Sequence, residues 1–247
     1  MSALDYIAEG GRVLDAAQAA GFDLRMTGGV AIASICPSAN RPPLQRTYVD
    51  IDFVGRSRNV EKIEELFFQL GYAPEESFNA LHGEFRLFFD DKESGREADV
   101  FLDAVRGCHS LDLRDRLCAW PRTISPADLL LSKLQVFETN DKDYLDIMAL
   151  LADHDISEDD SGVCLPRIVA ACSSDWGWWR TVTMVAQRAA EFAERLAAQD
   201  THLNRVPGQL GVIIEALETS PKTFKWKMRA RVGERVKWYE EPEELAH

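Results

Sequence analysis

The sequence predicts an α/β (α+β) fold, a mixed-sheet domain flanked by helices and followed by a mainly helical C-terminal domain. Strand-like alternation and helical spacing of apolar residues intermingle as far as about residue 152, and beyond it only helical spacing recurs. Between the two lies Asp153 to Gly162, which holds five carboxylates and few apolar side chains and reads as a linker. The domains are therefore placed at 1–154 and 155–247, and 247 residues suffice for a sizeable core in one large domain or two modest ones.

Each element follows from local chemistry. Leu4, Ile7, Ala8, Val13, Leu14 and Ala17 recur at helical spacing up to Gly21, which predicts a helix over Leu4 to Ala20. A short strand over Leu24 to Thr27 runs into Gly28 and Gly29, then a helix of small residues over Val30 to Ile35, then a proline-rich loop from Pro37 to Leu44. Tyr48 to Val54 reads as a second strand and Val60 to Leu70 as an amphipathic helix ended by Gly71. Glu84 to Phe89 and Ala98 to Phe101 read as two strands joined by an acidic turn. Pro126, after Ser125, opens a helix to about Glu138; Thr139, Asn140 and Asp141 interrupt it, and a second helix runs to Ala152. Further helices are expected over Leu165 to Cys172, Trp179 to Ala198 and Leu210 to Leu217.

Composition excludes several classes. Lys and Arg number 28 against 41 Asp and Glu, a net charge of −13, so any anion-binding surface must be local. No apolar run approaches the roughly 18 residues that a spanning helix needs, and Asp5 and Glu9 interrupt the basic-then-apolar order of a secretory signal, so no membrane role and a cytoplasmic location are expected. Cys36, Cys108, Cys118, Cys164 and Cys172 are odd in number and never two residues apart, which speaks for reduced, mostly buried thiols. The histidines His82, His109, His154, His202 and His247 have no metal-ligand spacing.

Asp50-Ile51-Asp52-Phe53 is the most informative stretch. In a strand both aspartates project from one face while Ile51 and Phe53 face the core. Two such charges repel unless a cation sits between them, and hard oxygen ligands select Mg²⁺ or Mn²⁺. The surface alternative is a solvated edge strand. A neighbouring strand could complete a three-carboxylate cage through Asp99, with Asp103 in reserve. Gly28 and Gly29 stand where a strand passes into a helix, where glycines let the backbone approach a phosphate.

The order Gly28-Gly29, Asp50-x-Asp52 and later Asp99 resembles the signature of the DNA polymerase β-like nucleotidyltransferase superfamily. Arg46 and Thr47 before Asp50, then Asp128 to Leu134 with Lys133, then Lys142-Asp143-Tyr144-Leu145-Asp146, are similar to the AbiEii-type (type IV toxin) branch. The resemblance spans about residues 24 to 151. It implies a nucleotidyltransferase that moves a nucleoside monophosphate from an NTP to a hydroxyl acceptor, an RNA such as a tRNA end, as the toxin of a toxin–antitoxin system with an antitoxin protein as partner. It further implies Asp50, Asp52 and Asp99 as catalytic metal ligands, Lys133 and Lys142 against the phosphates, and Gly28, Gly29, Arg46, Asp143 and Asp146 around the nucleotide. Asp143 and Asp146 share a helical face that can hold a lysine or the nucleotide, and Lys142 with Asp146 alternatively makes a surface ion pair. Val30 replaces the hydroxyl residue that often follows the glycines, and Thr139 to Asp141 replace an expected arginine. Those departures motivate one alternative, an inactive nucleotide- or partner-binding module of the same fold; the other alternative is AMP transfer to a protein or small-molecule hydroxyl.

The last feature is a basic, aromatic tail. Residues 222–239 carry seven Lys and Arg against Glu234 alone, interleaved with Phe224, Trp226, Trp238 and Tyr239. That pattern suits RNA stacking, and its bland counterpart is a cationic strip docked on the acidic body. The alternation of Phe224, Trp226 and Met228 with Lys225, Lys227 and Arg229 predicts a strand. Trp176, Trp178 and Trp179 read as core residues.

Overall fold

A five-stranded mixed sheet organises the first part of the chain in the computed structural model, which describes residues 2–197 and 200–241. Met1, Ala198 at the expected end of a helix, and His247 lie outside the described residues. The elements run in the order α1 (Ala3–Ala19), β1 (Leu24–Thr27), α2 (Gly28–Ile35), β2 (Asp50–Gly55), α3 (Val60–Gln69), β3 (Ala73–Pro74), α4 (Glu76–His82), β4 (Arg86–Asp91) and β5 (Arg96–Leu102). Strand order is β1-β2-β5-β4-β3. β2 and β5 are parallel; β1 with β2, β4 with β5 and β3 with β4 are antiparallel. β6 (Ala104–Arg106) and β7 (Ser110–Asp112) form a separate two-stranded sheet.

The period of two divides the sheet into an apolar face and a polar one. Leu24, Met26, Ile51, Phe53, Leu87, Phe89, Ala98 and Val100 are buried on the first, under α1 and α3. Gly10 of α1 approaches Met26 and Ile51, and Ile63 of α3 lies against Gly55. The centre of this core is aromatic: Phe67 stacks on Phe89 at 4.4 Å and meets Phe53 and Tyr72 edge-on at 5.7 and 5.2 Å. Helix α1 starts on a reciprocal capping box between Ser2 and Asp5, a device that contributes about 1 kcal/mol. Glu9 brings a charge into this core, where it is met by Arg12 at 2.6 Å, by the Tyr72 hydroxyl at 2.8 Å and, at 3.8 Å, by Arg96. Burial pushes its carboxyl up, but those hydrogen bonds outweigh burial and hold it below the usual glutamate value.

The helices that follow are α5 (Pro126–Leu134), α6 (Asp141–Asp153), α7 (Leu165–Ser174), α8 (Trp176–Ala197), α9 (Val206–Thr219) and α10 (Phe224–Val232), with a short parallel pair, β8 (Ile156–Ser157) and β9 (Val163–Cys164), between α6 and α7. Two compact units result: Met1–Asn40, Arg46–Val105 and Leu111–Ser125 form one, and Arg41–Gln45, Arg106–Ser110 and Pro126–His247 form the other. The division falls after Ser125, whereas the sequence places it near 154. The reason is packing, since α5 and α6 carry apolar faces that bury against α7, α8 and α9. The acidic stretch 153–162 accordingly lies inside the second unit, with β8 and β9 at its ends.

The other departures are local. α2 begins at Gly28, so the glycines are its first turn rather than a preceding loop. α4 and β3 have no counterpart in the sequence reading. The tail is helical over Phe224–Val232, where alternation predicts a strand. Thr223 caps the helix by accepting from the Trp226 N–H, Gly233 ends it with φ of +61°, and its Lys, Arg, Met and Ala residues favour helix. Four of the five cysteines, all free, are buried, and Cys118 is exposed. Among the described residues no helix is long and apolar enough to cross a membrane.

Candidate active site

The polar face of the sheet collects the acidic residues because parallel pairing sets β2 against β5 in one register. Asp50 lies opposite Glu97 and Asp52 opposite Asp99, strands in a sheet being about 4.8 Å apart. Directly paired residues project from the same face, so Asp50, Asp52 and Asp99 share one surface. On the other side of β2, Thr27 lies opposite Asp52. Asp103 falls beyond the end of β5 with φ of +64° and accepts from the Ser57 hydroxyl at 2.6 Å and the Ser57 N–H at 3.1 Å, away from this row.

The glycine turn closes onto the same surface. Gly28 has φ of +67°, and a Cβ there would stand 1.8 Å from Asp52 Oδ2; a Cβ on Gly29 would stand 1.7 Å from Arg46 Nη2. Gly28 therefore requires a residue without a side chain, whereas a side chain at Gly29 would have to push the Arg46 guanidinium aside. The Arg46 guanidinium in turn lies 4.4 Å over the ring of Tyr48. Gly28, Gly29, Arg46 and Asp52 thus meet at one point. Thr27 Oγ1, in a residue only 2% exposed, has no hydrogen-bond partner among the described residues. Val30 removes a hydroxyl after the glycines, and Thr27 supplies one before them.

Asp99 is 4% exposed and is gripped by Arg86, whose Nε reaches both carboxylate oxygens at 2.8 and 2.9 Å while Nη2 bonds Oδ2. Burial pushes the Asp99 carboxyl up, Arg86 pulls against that rise, and Asp50 adds to it. Arg86 is itself framed by Phe78 of α4 and Phe101 of β5, at 5.6 and 5.0 Å. The carboxylates are hard oxygen donors of the type that Mg²⁺ or Mn²⁺ takes. Yet the oxygens of Asp99 are spent on Arg86, and among the described residues no group of three or more His, Cys, Asp or Glu side chains is placed to hold a metal ion. As arranged, Asp99 is paired with an arginine rather than set in a ready cage.

The remaining residues suggested by the sequence belong to the second unit. Lys133 Nζ of α5 bonds Asp143 at 3.0 Å and Asp146 at 2.9 Å, both on α6 and both buried. The two acids that stand three apart on one helical face hold this lysine, and Asn140 caps their helix reciprocally with Asp143. Lys142, one position before Asp143 on the helix, is exposed. The acid of α5 itself, Asp128, is also buried and takes Arg167 at 2.7 Å.

Arg86 and Thr27 escape the sequence reading. Alternation with Leu87 and Phe89 already sets Arg86 and Phe88 on one face, but only the register of β4 on β5, with Phe88 opposite Asp99, brings that guanidinium to the acid. Thr27 is marked by its place immediately before the glycines. Comparison of the chain with protein-family models, with curated proteins and with solved structures finds no match.

Proposed function

We propose that the chain is a nucleotidyltransferase that moves a nucleoside monophosphate from an NTP to a hydroxyl of an RNA acceptor such as a tRNA end, with Mg²⁺ or Mn²⁺ as its cofactor. The resemblance to the AbiEii-type branch extends the proposal to a toxin neutralised by an antitoxin protein. The observation that supports it most is the meeting of the Gly28-Gly29 turn with Asp52, beside Asp50 and Asp99 on one sheet face. Backbone N–H groups at the start of α2 and the Arg46 guanidinium would receive phosphate oxygens, and the unpaired Thr27 hydroxyl stands at the same turn. Asp50 and Asp52 would orient the acceptor hydroxyl. Metal entry competes with Arg86 for Asp99, so the cation requirement is itself part of what is tested.

The specific observation that favours a second reading is the same Arg86–Asp99 pair. A fixed guanidinium in place of a cation suits a module that binds nucleotide or a partner without turnover. One experiment separates the two: each labelled NTP is incubated with the protein, Mg²⁺ or Mn²⁺ and total RNA. Label transferred to RNA, and lost on Asp52→Ala with the fold intact by circular dichroism, supports transfer. Nucleotide binding without transfer to RNA, protein or the chain itself supports the binding module, and transfer retained by Asp52→Ala removes these carboxylates from the chemistry.

A further inference from the structure

The second unit contains a cavity of about 560 Å³ that the acidic sheet face does not account for, and its size falls within the range of small-molecule sites. Its walls are aromatic. The His109 ring stacks on Trp178 at 5.0 Å, and Trp238 meets Trp176 edge-on at 5.8 Å. These walls are joined by a half-buried pair of hydrogen bonds: Trp238 Nε1 donates to Thr181 Oγ1 at 3.1 Å, and the Thr181 hydroxyl lies 2.9 Å from His109 Nε2. Indole nitrogen only donates, so the Thr181 oxygen accepts from Trp238 and shares its second hydrogen bond with the His109 ring. Burial holds His109 at about 4, so its ring is neutral near pH 7.

The lining carries charge of both signs, and Lys237 is paired with Glu241 at 2.5 Å, so Lys225 and Arg229 are its cations outside an ion pair with that tail acid. Lys225 and Arg229 of α10 and Lys237 border the opening. Arg229 lies 4.7 Å over the Trp176 ring and bonds the carbonyls of Gly233 and Val236, which ties the return of the tail to the cavity. Asp175, an acid at the same opening, is committed to the first turn of α8, where Oδ1 accepts from the Gly177 and Trp178 N–H groups at 2.7 and 3.1 Å; Glu240 is the other acid there. Finally, Trp226 lines the cavity, and its buried Nε1 has no hydrogen-bond partner among the described residues. Stacking surfaces, cations at one rim and an unused donor are the complement of a planar heterocycle that carries an anionic group.

We propose that this cavity is a nucleotide-binding site, its ligand a nucleoside monophosphate either free or as the terminal nucleotide of a single-stranded RNA. It is separate from the acidic sheet face and stands whether or not that face transfers a nucleotide. The test is tryptophan fluorescence of the full chain titrated with the four nucleoside monophosphates, adenosine, inorganic phosphate and a short single-stranded RNA. Saturable quenching by at least one monophosphate is expected, weaker with adenosine or phosphate alone. Lys225→Glu, an exposed change, should weaken binding by about tenfold, the factor that 1.4 kcal/mol represents. Asp52→Asn should leave it unchanged. RNA that binds more tightly than every monophosphate identifies a chain terminus as the ligand, and equal affinities identify the free nucleotide. Absence of saturable quenching overturns the proposal, as does quenching lost on Asp52→Asn and kept by Lys225→Glu, which would assign the ligand to the sheet face.

Discussion

Arg86 illustrates how one side chain sets the character of a site. It balances Asp99 at a position where three carboxylates on neighbouring strands repel one another. Removing it exposes the oxygens of Asp99 to a competing cation. Arg86→Gln is therefore expected to tighten Mn²⁺ binding by roughly tenfold or more, given that a buried uncompensated charge costs several kcal/mol, and calorimetric titration of both proteins measures it; equal affinities would mean that Asp99 does not meet the ion. His109 offers a second residue-scale test. Its folded-state value of about 4 lies below the ordinary 6.5, so the unfolded chain binds the proton first as the pH falls. The neutral ring contributes stability that is present above pH 6.5 and is lost between 6.5 and 4, on the order of 3 kcal/mol in full. Thermal unfolding followed across that window should fall less steeply for His109→Gln than for the native chain.

At the scale of elements, the two decisive glycines mark where the backbone is asked to come closest. Gly28 opens α2 at positive φ against the Asp52 carboxylate, so Gly28→Ala pays about 1–2 kcal/mol for the left-handed backbone alone and must also displace Asp52. A measured loss below about 0.5 kcal/mol, within the ordinary range for a surface change, would contradict that geometry. Gly177, in the first turn of α8, leaves room for the Trp238 carbonyl, which a Cβ would meet at 2.7 Å. Elements such as α1, α3, α6 and α9 were legible in the sequence because a long apolar period and its caps act locally. α10 was not: Phe224, Trp226 and Met228 alternate, but Phe224, Met228 and Val232 also stand four apart, and all three are exposed. A period of two implies a strand only where another strand offers hydrogen bonds, and here the capping of Thr223 and Gly233 satisfies the backbone internally.

For the molecule as a whole, a net charge of −13 opposes any nucleic acid except where the 222–239 stretch faces it. Binding of single-stranded RNA should accordingly engage only a few phosphates, with a slope of log K against log salt of about −2 to −3 rather than the steeper values of extended basic surfaces. Binding isotherms between 50 and 200 mM salt measure this, and a slope near zero would exclude the basic tail as an RNA contact. By itself the sequence determined the classes of element, the presence of a mixed sheet followed by helices, the polar face that carries Asp50 and Asp52, and the shared helical face of Asp143 and Asp146, because helical and strand periods are properties of neighbouring residues. Only the tertiary structure decided that Asp99 lies beside Asp52 and pairs with Arg86, that α5 and α6 belong with the later helices, and that the tail folds around a cavity with His109. Those outcomes depend on strand register and on the burial of apolar faces between segments distant in the chain, and no local period encodes which distant partner a face will find.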